Sequence, residues 1–163
     1  MPTALPVPIE FRLPDGWLPA LPEGDTGVAF AARHPEPDHG FAANITLDGG
    51  YPPPGQTLAE CADDALERLR EAAESVRVLQ RHEFGDPDAP GLTQRLSFSA
   101  VAGGVRRDLV QSQVFVSVVD VGDPDKHALI RLVLTATAAR FHSVLPDFQE
   151  FLRTVHTNPG EGN

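Results

Sequence analysis

Residues 41–74 read FAANITLDGGYPPPGQTLAECADDALERLREAAE: a strand, a proline-stiffened loop and a long amphipathic helix in one continuous run. The strand spans Phe41 to Leu47 and is ended by Asp48, Gly49 and Gly50. Tyr51 leads into three prolines that hold the backbone near polyproline geometry as far as Gly55 and set the distance between strand and helix. Thr57 followed by Glu60 is a capping box: the hydroxyl takes an orphan amide of the first turn and the carboxylate reaches back to the Thr57 amide. The helix therefore begins there. Leu58, Ala62, Ala65, Leu69, Ala72 and Val76 recur at alternating spacings of four and three, and Cys61, Leu66 and Ala73 widen the stripe into a packing face. Carboxylates and arginines fill the opposite face; adjacent ones such as Asp63 and Asp64 point in different directions on a helix and read as a solvated surface rather than an acid–base pair. A helix with one apolar face needs a sheet to receive it.

Strands are indeed written on both sides of this stretch. Residues 1–8 are proline-rich and extended, after which Ile9, Phe11 and Leu13 alternate with Glu10 and Arg12 at the period of a half-buried strand. Pro14, Asp15 and Gly16 turn the chain, and Trp17 is placed to cap the core. A second strand is expected from Val28 to Arg33. His34 and His39 flank Asp38 in the loop that follows, but without a third spaced ligand they read as solvated histidines, not a metal site.

Beyond the helix, a fourth strand runs from Val76 to Phe84 and a fifth from Leu92 to Val101, with Arg95 on its Thr93/Ser97 side. Gly103 and Gly104 supply a hairpin turn, since a two-residue primed turn needs positive φ at both positions. The sixth strand, Val105 to Val119, puts Val110, Val114, Val116 and Val118 on one face and Leu109, Gln111, Gln113, Phe115 and Ser117 on the other. Neither face is fully polar, which implies a sheet covered at least partly on both sides. Asp120, Asp123 and Asp125 resemble a calcium loop only superficially and belong to a turn into a seventh strand, Ala128 to Thr137. The last helix begins near Ala139, with its secure part placed from Pro146 to Val155 because proline is tolerated in a first turn. The order is an α+β domain over residues 1–157 with a largely antiparallel sheet of about seven strands and two main helices, followed by a loose tail, 158–163.

The net charge of −10 repels phosphate backbones and anionic membrane surfaces, which disfavours nucleic acid as a partner. The single cysteine, Cys61, lies on the apolar stripe of the helix and reads as a small hydrophobe. No apolar run reaches the length of a membrane span and the first residues lack the pattern of a signal peptide, so a cytoplasmic protein is expected. No GxGxxG, P-loop, GxSxG, HExxH or CxxC pattern is present, and the six histidines have no short spacing that would pair two on one helical turn. No cofactor or metal is expected.

FRLPDGW near the start, FAANITL leading into PPPGQTLAECADDALERL, VQSQVF in the hairpin, LIRLVLTATA and the final LPDFQEFLRTV together resemble the PsbP-like superfamily over nearly the whole chain. By pattern the chain is similar to DcrB-like proteins, to the cytoplasmic chaperones that bind effectors for type VI secretion, and to LpqN-type lipoproteins of high-GC bacteria. The resemblance implies an α/β/α sandwich and binding rather than catalysis. The absence of a leader and an acylatable N-terminal cysteine weights it toward the chaperone branch.

The expected function is accordingly a noncatalytic protein-binding module, a cytoplasmic chaperone or adaptor that holds an apolar segment of a secreted or membrane-associated client, such as a secreted effector. Its expected surface is the mixed face of the sixth strand, Leu109, Gln111, Gln113 and Phe115, suited to apolar burial and side-chain hydrogen bonds together. The alternative is that the protein's own helices cover those residues. A different reading is a small-molecule or lipid carrier, or an enzyme with an unrecognised site, using a pocket near Tyr51, Trp17 or Arg95. The resemblance to secretion chaperones also predicts a homodimer formed through the sheet.

Overall fold

The computed structural model describes residues 9–20, 29–86, 89–120 and 123–157. Residues 1–8, expected to be extended, Val28, expected to start the second strand, and the tail 158–163 lie outside the described residues. So do residues 87–88 and 121–122.

Nine strands and two helices follow one another as β1 (Ile9–Glu10), β2 (Leu18–Ala20), β3 (Phe30–Arg33), β4 (Asn44–Gly50), α1 (Leu58–Ala72), β5 (Glu74–Asp86), β6 (Ala89–Ala102), β7 (Val105–Asp120), β8 (Asp123–Thr137), α2 (Phe141–Thr154) and β9 (His156–Thr157). Seven of the strands form one antiparallel sheet in the order β2-β3-β4-β8-β7-β6-β5, and β1 pairs with β9 in a separate two-stranded ribbon. β5 to β8 are three successive hairpins; β4 reaches β8 across the whole intervening chain, with Ile45 opposite Leu134 and Leu47 opposite Leu132.

The sheet is clad on both sides. On one face α2 lays Phe141, Val144, Phe148 and Phe151 over Ile45, Leu47, Val110, Val114, Leu132 and Leu134 in the main core. Each such side chain withdrawn from water stabilises the fold by about 1.5–3 kcal/mol. Trp17 closes the rim of this core, its indole Nε1 donating to Asp147 Oδ2 at 2.9 Å and its ring edge-on to His34. On the other face α1 lies across β5, β6 and β7, where Cys61, Ala62 and Ala65 meet Leu92 and Phe115. Small residues on that stripe let the helix backbone approach the sheet closely. The result is the expected α/β/α sandwich.

Several boundaries differ from the sequence expectation for local reasons. The first strand shrinks to Ile9–Glu10, because Phe11 leaves the ribbon to pack on Phe30 and Phe151. Strand β2, directly after Trp17, had no alternating signal and pairs only at the sheet edge. The helix stripe was expected to include Val76, yet Ala73 is already extended and β5 begins at Glu74, with Ser75 at φ +56° where its register with β6 shifts. Helix α2 starts at Phe141, so Pro146 sits in its second turn and removes one intrahelical bond at an exposed position. The Gly103–Gly104 turn has φ of +63° and +77°, as a primed hairpin requires.

Candidate binding sites

Alternation along β7 sends Leu109, Gln111, Gln113 and Phe115 to the α1 side of the sheet. Leu109, Gln113 and Phe115 are buried there and Gln111 is half-buried, so these four do not form an open partner surface; the covering helix is the protein's own. The side-chain hydrogen bonds expected of the glutamines are made, but internally. Arg81 Nε and Nη2 donate to Gln94 Oε1, Gln94 Nε2 donates to Gln113 Oε1 at 2.6 Å, Gln113 Nε2 donates to Gln111 Oε1, and Gln111 Nε2 donates to Thr135 Oγ1 at 3.0 Å. This relay crosses β5, β6, β7 and β8 beneath α1. It is tied to the helix at two points: Gln94 Nε2 also donates to the Ala62 carbonyl, and Arg81 Nη1 donates to Asp63 Oδ1.

The larger of the concavities on this side among the described residues lies at the N-terminal end of α1. The loop from Tyr51 to Thr57 overhangs a groove of about 1020 Å³ whose floor and far wall come from Leu129, Ala128, Ser117 and Pro90. Leu58, Ala59 and Cys61 form its helical wall, so the lining is predominantly apolar. Tyr51 stands at the mouth, 44% exposed. The loop is held to the helix by the capping box, with Glu60 N donating to Thr57 Oγ1 and Thr57 N donating to Glu60 Oε1. Gln56 adds a second tie: it accepts from Cys61 Sγ at 3.4 Å and donates to Asp64 Oδ2. Behind the loop, Arg131 donates from Nε and Nη2 to the two oxygens of Asp48, a bidentate pair on the inner strands β8 and β4.

Cys61 borders this groove, yet its thiol is pushed above the ordinary cysteine range, first by burial and then by the carboxylates of Asp64 and Glu60. A thiol so placed is a poor nucleophile. Among the described residues no three His, Cys, Asp or Glu side chains converge as a metal-binding set. His34 turns Nδ1 to the backbone at Glu36, and His39 lies 3.5 Å from Asp38 at the surface.

Arg95 is on the opposite, α2 face. Its guanidinium lies 5.0 Å from the centre of the Phe141 ring, and its Nε is buried with no hydrogen-bond acceptor. A separate cavity of about 230 Å³ opens beside it between β5, β6 and α2. Tyr51 and Arg95 therefore belong to two different sites on opposite faces, and Trp17 lines neither.

No protein-family model matches the sequence, and no curated protein matches it. Solved structures do match over most of the chain. LpqN of Mycobacterium tuberculosis, described as involved in cell envelope biogenesis, superposes with a TM-score of 0.64 at 14% identity, covering 93% of this chain and 83% of LpqN. The Ran-binding protein Mog1p of Saccharomyces cerevisiae gives 0.62 at 18% identity, over 91% of this chain and 89% of Mog1p. Cyanobacterial PsbP from Synechocystis gives 0.60 at 17% identity, over 92% of this chain and 86% of its own. The chain has the PsbP-like fold.

Proposed function

We propose that the chain is a noncatalytic protein-binding module that receives an apolar segment of a client protein in the groove beneath the Tyr51–Gly55 loop. The observation that carries this reading is the groove itself: about 1020 Å³, mostly apolar, roofed by a proline-stiffened loop whose conformational entropy is already low. An exposed tyrosine at the mouth offers a large contact area with a polar tip. That Mog1p is a Ran-binding protein supports a protein partner for this fold, and LpqN's involvement in the cell envelope is compatible with a secreted or membrane-associated client. Within that frame the chain acts as a cytoplasmic chaperone or adaptor.

Affinity capture from the native cell with the wild-type chain and with Tyr51→Ala and Ala59→Arg tests the reading. The expected result is a stoichiometric partner recovered by the wild type and lost with both variants; no partner under mild conditions, or one indifferent to both changes, overturns it. A homodimer would use the long edge strand β5, where Val78, Leu79 and Phe84 are exposed. A monomeric mass by light scattering at high concentration excludes it.

A carrier role is the second reading, favoured by one specific observation: Arg95, whose buried Nε has no partner among the described residues, beside a cavity on the other face.

A further inference from the structure

Arginine Nε is a strong donor that buried sites seldom leave unmatched. The chain carries 23 acidic side chains against 13 basic ones, yet no carboxylate among the described residues pairs with Arg95. Opposite Arg95 in register stands Ser112, 6% exposed. Both side chains line the same cavity of about 230 Å³, together with Thr93 and Gln149. One cationic side chain with an unmatched buried donor and one hydroxyl thus border the same small polar space.

A second cavity of about 290 Å³ adjoins it, sharing Val114 and Leu152 and walled further by Val116, Val118, Phe84 and Val155. The Phe84 ring is laid over Gly91, where even a Cβ would meet it at 2.3 Å, so the glycine is what allows the ring to lie there as a wall. Ser112 to Val118 is six residues of extended strand, on the order of 20 Å. The cleft beside α2 therefore changes from polar and cationic at Arg95 to apolar at Val118.

From this juxtaposition we infer that the cleft between α2 and the β5–β6 side of the sheet binds an aliphatic monocarboxylate, its head on Arg95 and Ser112 and its tail along Val114, Val116 and Val118. A carboxylate matches the planar fork of a guanidinium. Arg95 is the one arginine or lysine lining either cavity; His82 borders the first and His156 the second, but His156 is already paired with Glu10, which leaves Arg95 as the cation to match one negative charge. The site is on the opposite face from the client groove and does not depend on it.

Calorimetric titration of the full chain at neutral pH with decanoate, kept below its micellar range, tests the assignment against decanol, butyrate and inorganic phosphate. Decanoate is expected to bind at one site, with the other three at least tenfold weaker. Arg95→Gln should weaken decanoate at least tenfold and leave decanol unchanged, and Val118→Thr should weaken decanoate but not butyrate. Circular dichroism checks that each variant folds; should Arg95→Gln not fold, Arg95→Lys keeps the charge, loses the fork, and is expected to weaken decanoate several-fold. Decanol binding as tightly as decanoate, phosphate displacing it, either Arg95 variant binding normally, or no decanoate binding at all overturns the inference. Loss of binding in Tyr51→Ala would move the ligand to the other groove and overturns it equally.

Discussion

Every polar atom of the Gln94 side chain is engaged: its oxygen accepts from Arg81 twice and its nitrogen donates to Gln113 and to the Ala62 carbonyl, at 1% exposure. Gln94→Ala removes the amide and leaves Arg81 and Gln113 facing a void beneath α1. We expect a loss of about 2–4 kcal/mol in urea unfolding, the cost of stranded buried partners rather than of one bond. A loss under about 1 kcal/mol would mean that water takes the place of the amide. The importance of Gln94 was not visible in the alternation of Leu92, Leu96 and Phe98, because a polar residue on an apolar face declares neither its partners nor its depth. The same limit misassigned Gln111 and Gln113: their capacity for side-chain hydrogen bonds was legible, but what covers their face was not.

At the level of the element, α1 shows what local chemistry does and does not declare. Its start was legible to the residue, since a capping box is made within four positions, and Thr57 and Glu60 make both of its bonds. Thr57→Ala is expected to cost about 1 kcal/mol by thermal or urea unfolding, and Thr57→Ser close to nothing. Equal losses in the two variants would show that packing of the methyl group, not capping, is at stake. Because the same turn holds the proline loop, Thr57→Ala should also raise amide exchange at Gln56. The helix end was not legible. Val76 continues the apolar spacing, and no glycine marks the stop; the helix ends at the extended Ala73, and Ser75 takes positive φ within the first residues of β5, where the register with β6 shifts, a conformation a serine adopts only when the surrounding structure demands it. Pro146 misled in the same way, since it was expected in a first turn and lies one turn further on.

For the whole molecule, the layered architecture followed from the order of elements, because hairpins pair neighbours and each amphipathic helix needs one face of the sheet. The pairing of β4 with β8 and the ribbon of β1 with β9 join distant segments, and no local pattern announces them. The ribbon brings the two ends of the described chain together beside the α2 core. In it His156 directs Nε2 to Glu10 Oε1 and Nδ1 to the Thr154 carbonyl, and two acceptors can both be satisfied only by the doubly protonated ring. The Thr154 carbonyl first, and Glu10 second, raise this histidine above its ordinary 6.5. A folded pKa above the unfolded one contributes stability that is full below the unfolded value and fades as pH rises through the folded value. Thermal midpoints should therefore fall modestly between about pH 6 and 8, and His156→Gln should flatten that slope. A His156 proton titration by NMR at or below the ordinary value would refute the arrangement.

The relay under α1 has a direction. Arg81 at one end has only protons to give, and the Ala62 carbonyl can only receive, so neither can exchange roles with its neighbour. Turning Gln94 or Gln113 over would set hydrogen against hydrogen on one side and oxygen against oxygen on the other, and turning Gln111 over would set its hydrogens against those of Gln113. The three glutamines are thus aligned like compass needles beside a fixed magnet, and the orientation of Gln111, two strands away, is inherited from a charge on β5.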